Sequence, residues 1–190
     1  MSNDSTYHNE CGLIFQGVGI VRADAERNRG RILDAAEEVF ARQGASASTE
    51  EVARLAGVAI GTVFRHFPTK DDLLAAILKR LLARLAEDAA TLGGADGLHT
   101  FFGRLVEQAA ARRTVVDLAG VSVPAAVAQL GDAVAELLRQ AQAAGTVRAD
   151  VRPPEVLALL TSICQGALHG GWDAELQHRT LAVIFAGLAA

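Results

Sequence analysis

Apolar residues recur at helical spacing through most of the chain, and glycine or proline interrupts each run. The first clear run occupies positions i, i+1, i+4, i+7 and i+8, which form one face of a helix. It consists of Ile32, Leu33, Ala36, Val39 and Phe40. No stretch alternates apolar and polar residues as a half-buried strand does. Because the chain has only 4 prolines and is rich in Ala, Leu, Arg and Glu, these patterns predict an all-α fold.

Glycine, proline and capping residues set the expected bounds of the helices. The first periodic helix starts at about Arg22 and ends before Gly44, and residues 1–21 show no clear period. Ser48 is placed to cap the second helix, with Glu51 three residues later able to reach back to it. The later helices are expected at about 49–56, 60–67, 70–92, 97–112, 114–119, 124–144, 153–168 and 174–188.

Length and composition exclude several classes of protein. The 190 residues are 51% hydrophobic and 21% charged, which allows a sizeable core. Cys11 and Cys164 lie in no CxxC or metal-ligand pattern, so we expect no disulfide framework or metal site, and a cytoplasmic location. No apolar run is long enough to span a membrane. Residues 1–21 lack Lys and Arg, so the basic start of a signal peptide is missing. Because they also show no clear period, we interpret them as a disordered leader, or as the product of an upstream start codon or of cloning.

The net charge of −4 argues against a protein that coats nucleic acid through bulk positive charge. The charge is, however, unevenly distributed. Residues 22–80 contain 10 Lys or Arg and 9 Asp or Glu, whereas residues 81–190 contain 8 and 11. The acidic excess therefore lies mainly outside the first helices.

Residues 49–67 have the spacing of a helix-turn-helix. Ala53, the fifth residue, is small enough for two helices to cross closely, and Gly57, the ninth, can adopt a left-handed turn. The apolar contacts between the two helices are expected from Val52, Val58 and Val63. Such a motif holds its second helix clear of the body so that it can enter a major groove. The alternative is an ordinary pair of antiparallel helices.

Residues 22–80 resemble the TetR family of transcriptional regulators. The resemblance is carried by residues 32–36 and Phe40, by residues 51–58 and, most specifically, by residues 61–74 (GTVFRHFPTKDDLL). It implies an N-terminal helix-turn-helix DNA-binding domain at 22–69 and a C-terminal helical domain at 70–190 that binds an effector and dimerises. It further implies a ligand-responsive repressor without a cofactor, which binds a palindromic double-stranded DNA operator as a homodimer and is released by a small-molecule effector.

The resemblance also assigns DNA-binding roles to particular residues. Thr62 matches a hydroxyl residue that bonds a phosphate or a base edge, and Lys70 matches a phosphate-binding lysine at the start of the fourth helix. Phe64 stands where the family usually has Tyr, so it can offer only apolar contact, for instance to a thymine methyl or a sugar. Ala59 replaces a frequent Ser and should leave its helix without a side-chain cap.

Other residues near the motif are candidates for DNA contact with open alternatives. Ile60 and Gly61 open the recognition helix, and Gly61 either lets DNA approach the backbone or simply starts the helix. Either Arg65 or His66 faces DNA, or both form a solvated edge or contact the first helix. Thr49 begins the supporting helix. Arginines ahead of the first helix form either a DNA-contacting arm or a solvated helix start: Arg22, Arg27, Arg29 and Arg31.

The second half carries expectations for the homodimer and the effector pocket. The apolar residues of the last two helices form either a four-helix bundle with a second copy or only the core of one chain. They are Val156, Leu160, Ile163, Ala167, Leu181, Ile184 and Leu188. Phe at helical spacing is usually a core residue and a lone His is usually structural, but aromatic residues with a few polar groups also suit a small-molecule pocket. The candidates for such a pocket are His99, Phe101, Phe102, Cys164, His169 and Trp172.

Two rival functions are weaker. An enzyme is not expected, because Cys164, His169 and Asp173 would point to different faces of a helix and no phosphate loop or paired carboxylates occur. A helical adaptor without specific DNA binding would not need Thr62, Lys70 and the arginines together. A mobility-shift titration with DNA upstream of the chain's own gene discriminates the adaptor from the regulator.

Overall fold

The computed structural model describes the backbone of residues 10–111 and 123–190, and side chains from residue 23 onward except Ala45 and residues 109–122. Within these residues the chain forms eight α-helices and no strand, which confirms the all-α prediction. The helices are α1 (Glu10–Gln43), α2 (Thr49–Ala56), α3 (Ile60–His66), α4 (Lys70–Thr91), α5 (Gly97–Ala111), α6 (Pro124–Ala143), α7 (Pro153–His169) and α8 (Ala174–Leu188). The helix expected at 114–119 lies outside the described residues.

The main difference from the sequence prediction is the start of α1. The helix begins at Glu10 rather than near Arg22, so the backbone of residues 10–21 is helical where we expected a disordered leader. Extending an existing helix adds one hydrogen bond for each residue fixed, without the cost of a new nucleus. An established helix can therefore continue into sequence that lacks apolar periodicity. Because the predicted start of α1 depends on that periodicity, the prediction places it too late.

The first core joins α1, α2, α3 and the beginning of α4. The periodic apolar residues of α1, from Ile32 to Phe40, are all at most 3% exposed, and they pack with Val52 of α2 and Val63 of α3. Leu73 and Ile77 close this core from α4. We call this cluster the N-terminal core; its inward residues run from Ile32 to Ile77.

The second core lies among α4 to α8. Phe101 and Phe102 of α5 are almost fully inaccessible and pack among the inward residues of α6, α7 and α8. The Phe102 ring meets Phe185 of α8 edge to face, with 5.4 Å between centroids. We call this cluster the C-terminal core; its buried residues run from Leu85 to Leu188.

Helix α4 belongs to both cores. The chain is therefore not divided into two independent cores at the expected domain boundary between residues 69 and 70. Its first turns supply Leu73 and Ile77 to the N-terminal core, and its later turns supply Leu85 and Ala89 to the C-terminal core. One continuous helix thus connects the helix-turn-helix to the larger helical layer.

Candidate functional site

The turn between α2 and α3 has the geometry that its sequence predicts. Gly57 has φ +64°, in the left-handed region that favours glycine. The Gly57 amide donates to the Arg54 carbonyl at 3.2 Å and the Val58 amide to the Ala53 carbonyl at 3.0 Å, which forms a Schellman motif. This cap ends α2 and redirects the chain into α3 within three residues.

The N-terminal caps of α2 and α4 fix where these helices begin. The Glu51 amide donates to Ser48 Oγ at 3.1 Å as expected, but the Glu51 carboxylate accepts from Gln43 Nε2 instead of reaching back to Ser48. A complete capping box starts α4, where the amides of Thr69 and Asp72 each donate to the other's side chain at 3.1 Å. Ala59 offers α3 no side-chain cap, as predicted.

Helix α3 divides clearly into an inward and an outward side. Val63 is fully buried, Thr62 and His66 are half-buried, and the other side presents Ile60, Gly61, Phe64 and Arg65. Ile60 is 37% exposed and Phe64 45%, high values for large apolar residues. A Cβ placed on Gly61 would meet no atom within 4 Å, so packing inside the chain does not require glycine there.

Helix α4 begins at Lys70, four residues after the end of α3. Lys70 is half-buried, and its Nζ stands 5.4 Å from the centroid of the Phe40 ring. Thr49, at the first turn of α2, is also half-buried. The exposed Glu50 that follows it adds a negative charge to the same turn.

The expected arginine arm is corrected by the structure, because these residues lie within α1. Arg27 forms an ion pair with Asp24 one turn earlier. The Arg29 guanidinium stacks 5.3 Å from the centroid of Phe67, and Arg31 reaches the Gly57 turn. The side chain of Arg22 lies outside the described side chains. A continuous helix cannot enter a minor groove as an extended arm, so any DNA contact here comes from a helical surface.

A cleft of about 360 Å³ lies among α4, α5, α6 and α7. Apolar side chains form most of its wall, with polar groups from Gln108, Thr161 and Gln165. The apolar lining residues are Leu78, Leu81, Leu82, Leu85, Leu105, Val127, Leu130, Leu157 and Leu160, together with Cys164. Burial raises the pKa of the Cys164 thiol to about 11, so this group is neutral at physiological pH.

The six residues expected to form a pocket do not converge, and only Cys164 lines this cleft. Phe101 and Phe102 are core residues, since apolar rings at helical spacing face the inside. His99 is exposed on a second, polar cleft of about 320 Å³ between α5 and α8, and its ring meets Phe185 edge to face. His169 is exposed at the end of α7. Trp172 packs against Gly166 and Gly170.

Comparison with known proteins identifies the family. Residues 32–77 match the family described as bacterial regulatory proteins, tetR family, and residues 94–190 match the C-terminal domain described as transcriptional regulator SbtR-like. The chain belongs to the TetR family. It is therefore a DNA-binding transcriptional regulator and not an enzyme, as the sequence predicted.

Relatives match the regulator over most of its length. A TetR transcription regulatory protein from Mycobacterium vanbaalenii is 38% identical, with a TM-score of 0.68 over 90% of this chain and 99% of its own. The TetR regulator SCO0520 from Streptomyces coelicolor is 30% identical, with a TM-score of 0.66 over 85% and 98%. The HTH-type transcriptional regulator UidR from Escherichia coli is 29% identical over 78% of this chain and 83% of its own.

The residues expected at a dimer interface need correction. Six of them are at most 7% exposed within one chain, and Ile184 packs partly buried against the same core. The six are Val156, Leu160, Ile163, Ala167, Leu181 and Leu188. Apolar periodicity marks the buried face of a helix without showing whether the same chain or a second copy covers it. In this regulator the same chain covers it.

One cluster that the sequence did not predict joins α4 to α1. Arg80 donates from Nε to Glu37 at 2.7 Å and from Nη1 to Asp34 at 2.8 Å, and Arg84 donates to Glu37 at 3.1 Å. Burial lowers the pKa of Arg80, but bonds to Glu37 and Asp34 outweigh it, so the pKa rises. Asp34 and Glu37 are three residues apart, so they lie on the same face of α1 and could have indicated an acidic patch there. Their partner Arg80 is more than forty residues away, so the sequence does not show which cation they bind.

Two classes of site find no support within the described part of the chain. Among residues 10–111 and 123–190, no group of three or more His, Cys, Asp or Glu is arranged to hold a metal ion. None of the helices in those ranges is both long and apolar enough to cross a membrane.

Proposed function

We propose that the regulator is a cytoplasmic repressor that binds a palindromic DNA operator as a homodimer and leaves it when a small apolar effector binds. The observation that carries the DNA-binding part is the outward side of α3. Gly61, Phe64 and Arg65 are held away from the body by the Gly57 turn, while Val63 anchors the helix. A helix presented in this way can lie in a major groove.

Positioning on the DNA falls to groups beside α3. Lys70 and the amides at the start of α4 suit a phosphate, because the positive end of the helix dipole and a cation act together there. Thr62, which is half-buried next to the outward side, can add a contact from its hydroxyl group to the DNA backbone. Such contacts fix register, and base-edge contacts from α3 specify the sequence.

The homodimer uses the outward faces of α7 and α8 rather than their buried faces. On α8 that face is largely apolar and includes Val183 at 73% exposure and Leu176 at 46%, seven positions apart on the same side. The small residues Ala182, Ala186 and Gly187 beside Val183 allow close helix approach. Two copies paired here form a four-helix bundle with two-fold symmetry, which matches a palindromic operator.

The effector site is the cleft of about 360 Å³ beside α4, a size typical of small-molecule pockets. Among the side chains that the structure describes, its lining contains no charged group, and Gln108, Thr161 and Gln165 offer a few hydrogen bonds. This chemistry favours an uncharged, largely apolar effector. Because Leu78, Leu81, Leu82 and Leu85 all belong to α4, a molecule in the cleft acts directly on the helix that also packs against the helix-turn-helix.

Effector release then requires the effector to bind one arrangement of α4 better than another. Arg80 lies between the cleft residues Leu78 and Leu81 and is bonded to α1. A shift of α4 therefore changes the placement of α1 and, through the N-terminal core, the spacing of the two reading helices in the dimer.

The test begins with fragments of the source genome selected for specific retention by the full chain. The same titration should show two chains bound to each operator. Lys70→Ala should weaken binding to all sequences and lower the salt slope by about one for each phosphate left without its lysine, hence by about two for a dimer. Lys79→Ala is the matched control, because Lys79 is exposed about 13 Å farther along α4.

Three results would contradict the proposal. An unchanged salt slope at full affinity in Lys70→Ala would remove the assigned role of Lys70. One chain for each operator would remove the homodimer. No specific retention at any salt concentration would favour the helical adaptor. Uncharged aromatic and aliphatic compounds added to the retained complex should release it, and release by highly charged compounds alone would contradict the effector class.

A further inference from the structure

Large apolar side chains exposed to solvent stand out on the surface of the regulator. Among the side chains that the structure describes, six are more than a third exposed: Leu55, Ile60, Phe64, Val127, Leu176 and Val183. Val127 lines the cleft beside α4, and Leu176 and Val183 lie on the outward face of α8. Leu55, Ile60 and Phe64 have no role in either feature. Leu55 lies on α2, whereas Ile60 and Phe64 both lie on α3, the helix proposed to read DNA.

Ile60 and Phe64 are neighbours on one flank of the outward side of α3. They are four residues apart, so they lie one above the other on the helix, and Gly61 and Arg65 run alongside them. Their Cα atoms are separated by a rise of about 6 Å along the axis. That span covers about two base-pair steps of ~3.4 Å each. The pair thus presents one continuous apolar strip to the groove.

The chemistry of this strip limits what it can recognise. Neither side chain can donate or accept a hydrogen bond, so neither can read the nitrogen and oxygen groups on the base edges or bond a phosphate. The 5-methyl group of thymine is the apolar group that the base edges present in the major groove. Gly61, next to the strip, has no side chain. A Cβ built there would meet no atom within 4 Å, so a base-pair edge has room to approach.

We propose that Ile60 and Phe64 are specificity-determining residues that select neighbouring thymine methyl groups in each operator half-site. This inference rests on the proposed function, because it assigns chemistry to the DNA-reading surface described above. Because Phe64 has no hydroxyl group, it contributes to base selection rather than to phosphate binding. Ile60 extends the same apolar contact by about one helical turn.

The test uses thymine-to-uracil replacement, which removes only the methyl group from the operator. In operators selected with the full chain, each thymine of the half-site is replaced in turn and binding is titrated. A single uracil, at one position or at either of two adjacent positions, should weaken binding about four-fold for each half-site, the value of one buried methyl-sized group. Replacement in both half-sites should weaken it about 15-fold.

Protein variants assign the effect to residues. Phe64→Ala should bind thymine and uracil operators equally at one position, and Ile60→Ala should do so at the adjacent position. Both residues are exposed, so circular dichroism should show an unchanged helix content. Lys70→Ala is the control, because removing a phosphate-binding cation weakens both operators alike and keeps their ratio.

The outcomes separate this inference from the proposed function. Tolerance of uracil at every thymine, a selected half-site without thymine, or full discrimination retained by both Phe64→Ala and Ile60→Ala would overturn the assigned specificity while operator binding stands. Failure to retain any fragment specifically would overturn the proposed function and this inference together.

Discussion

The two cores of the regulator differ in how their helices enclose space. In the N-terminal core, the short helices α2 and α3, joined by a tight turn, pack against α1 and the start of α4 and leave Val52, Val63 and Leu73 fully inaccessible. In the C-terminal core, longer helices bury Phe102 as completely but leave a cleft of about 360 Å³ against α4. Rigid packing suits a surface that must match a fixed DNA shape, whereas an incompletely filled layer can accept a molecule and rearrange.

The largest expected effect contrasts one phenylalanine from each region. Phe102→Ala should lower the free energy of unfolding by about 3–5 kcal/mol, because it leaves a cavity at a fully buried site. Phe64→Ala should change it by no more than about 0.5 kcal/mol, because that ring is 45% exposed, yet should weaken operator binding. Denaturant unfolding at one fixed chain concentration, together with operator titration, measures both.

This pair also tests the corrected role of Phe102. If Phe102→Ala left stability intact and changed only the response to an effector, Phe102 would be a pocket residue after all. If Phe64→Ala destabilised the fold as strongly as Phe102→Ala, the outward side of α3 would not be an exposed surface.

A glycine pair gives a smaller effect within the N-terminal region alone. Gly57→Ala should cost about 1–2 kcal/mol of stability, because alanine is strained at φ +64°. Gly61→Ala should be neutral or stabilising by up to about 1 kcal/mol, since its Cβ meets nothing within 4 Å and alanine favours helix. Thermal unfolding distinguishes the two variants.

The operator affinity of Gly61→Ala tests whether DNA binding requires glycine at position 61. If DNA approaches the backbone of α3 closely, Gly61→Ala should bind the operator more weakly despite its equal or higher stability. Operator affinity equal to that of the unchanged chain would show that the groove has room for a side chain there, and that Gly61 only opens the helix.

The features that the sequence predicts correctly depend on local spacing. The left-handed turn at Gly57, the cap from Ser48 and the missing cap at Ala59 each depend on residues within a few positions, and all three hold in the structure. The bounds of α2 matched as well, at Thr49–Ala56. The outward side of α3 follows from the same local geometry, because one buried residue, Val63, fixes the orientation of a seven-residue helix.

The predictions are wrong where the role of a residue depends on which neighbour covers its helix face. Helices α5 to α8 lie close to their expected bounds, and the helix expected at 114–119 is untested. Leu160 and Ile163 nevertheless face the chain's own core rather than a second copy. Periodicity shows that a face is buried but not by what. The cleft along α4 depends on how four separate helices meet, and the Arg80 cluster depends on a contact between α1 and α4. No short-range pattern specifies either arrangement.

The smallest expected effect concerns the connection between the two regions. Arg80→Met should lower stability by about 1 kcal/mol, since Arg80 is 21% exposed and its ion pairs lie between the exposed and the buried case. The substitution leaves Glu37 with Arg84 alone and Asp34 without its Arg80 bond. We therefore expect the N-terminal core to unfold at a lower denaturant concentration than the C-terminal core.

Two probes can resolve this separation. Trp172, the only tryptophan, lies beside the C-terminal core and reports its unfolding by fluorescence, while circular dichroism reports all helices. The two transitions should coincide in the unchanged chain, because α4 is shared, and should separate in Arg80→Met. Arg139→Met is the matched control, since the Arg139–Glu136 pair lies on the surface of α6 alone. Coincident transitions in Arg80→Met would mean that shared packing along α4, rather than the Arg80 ion pairs, holds the two regions together.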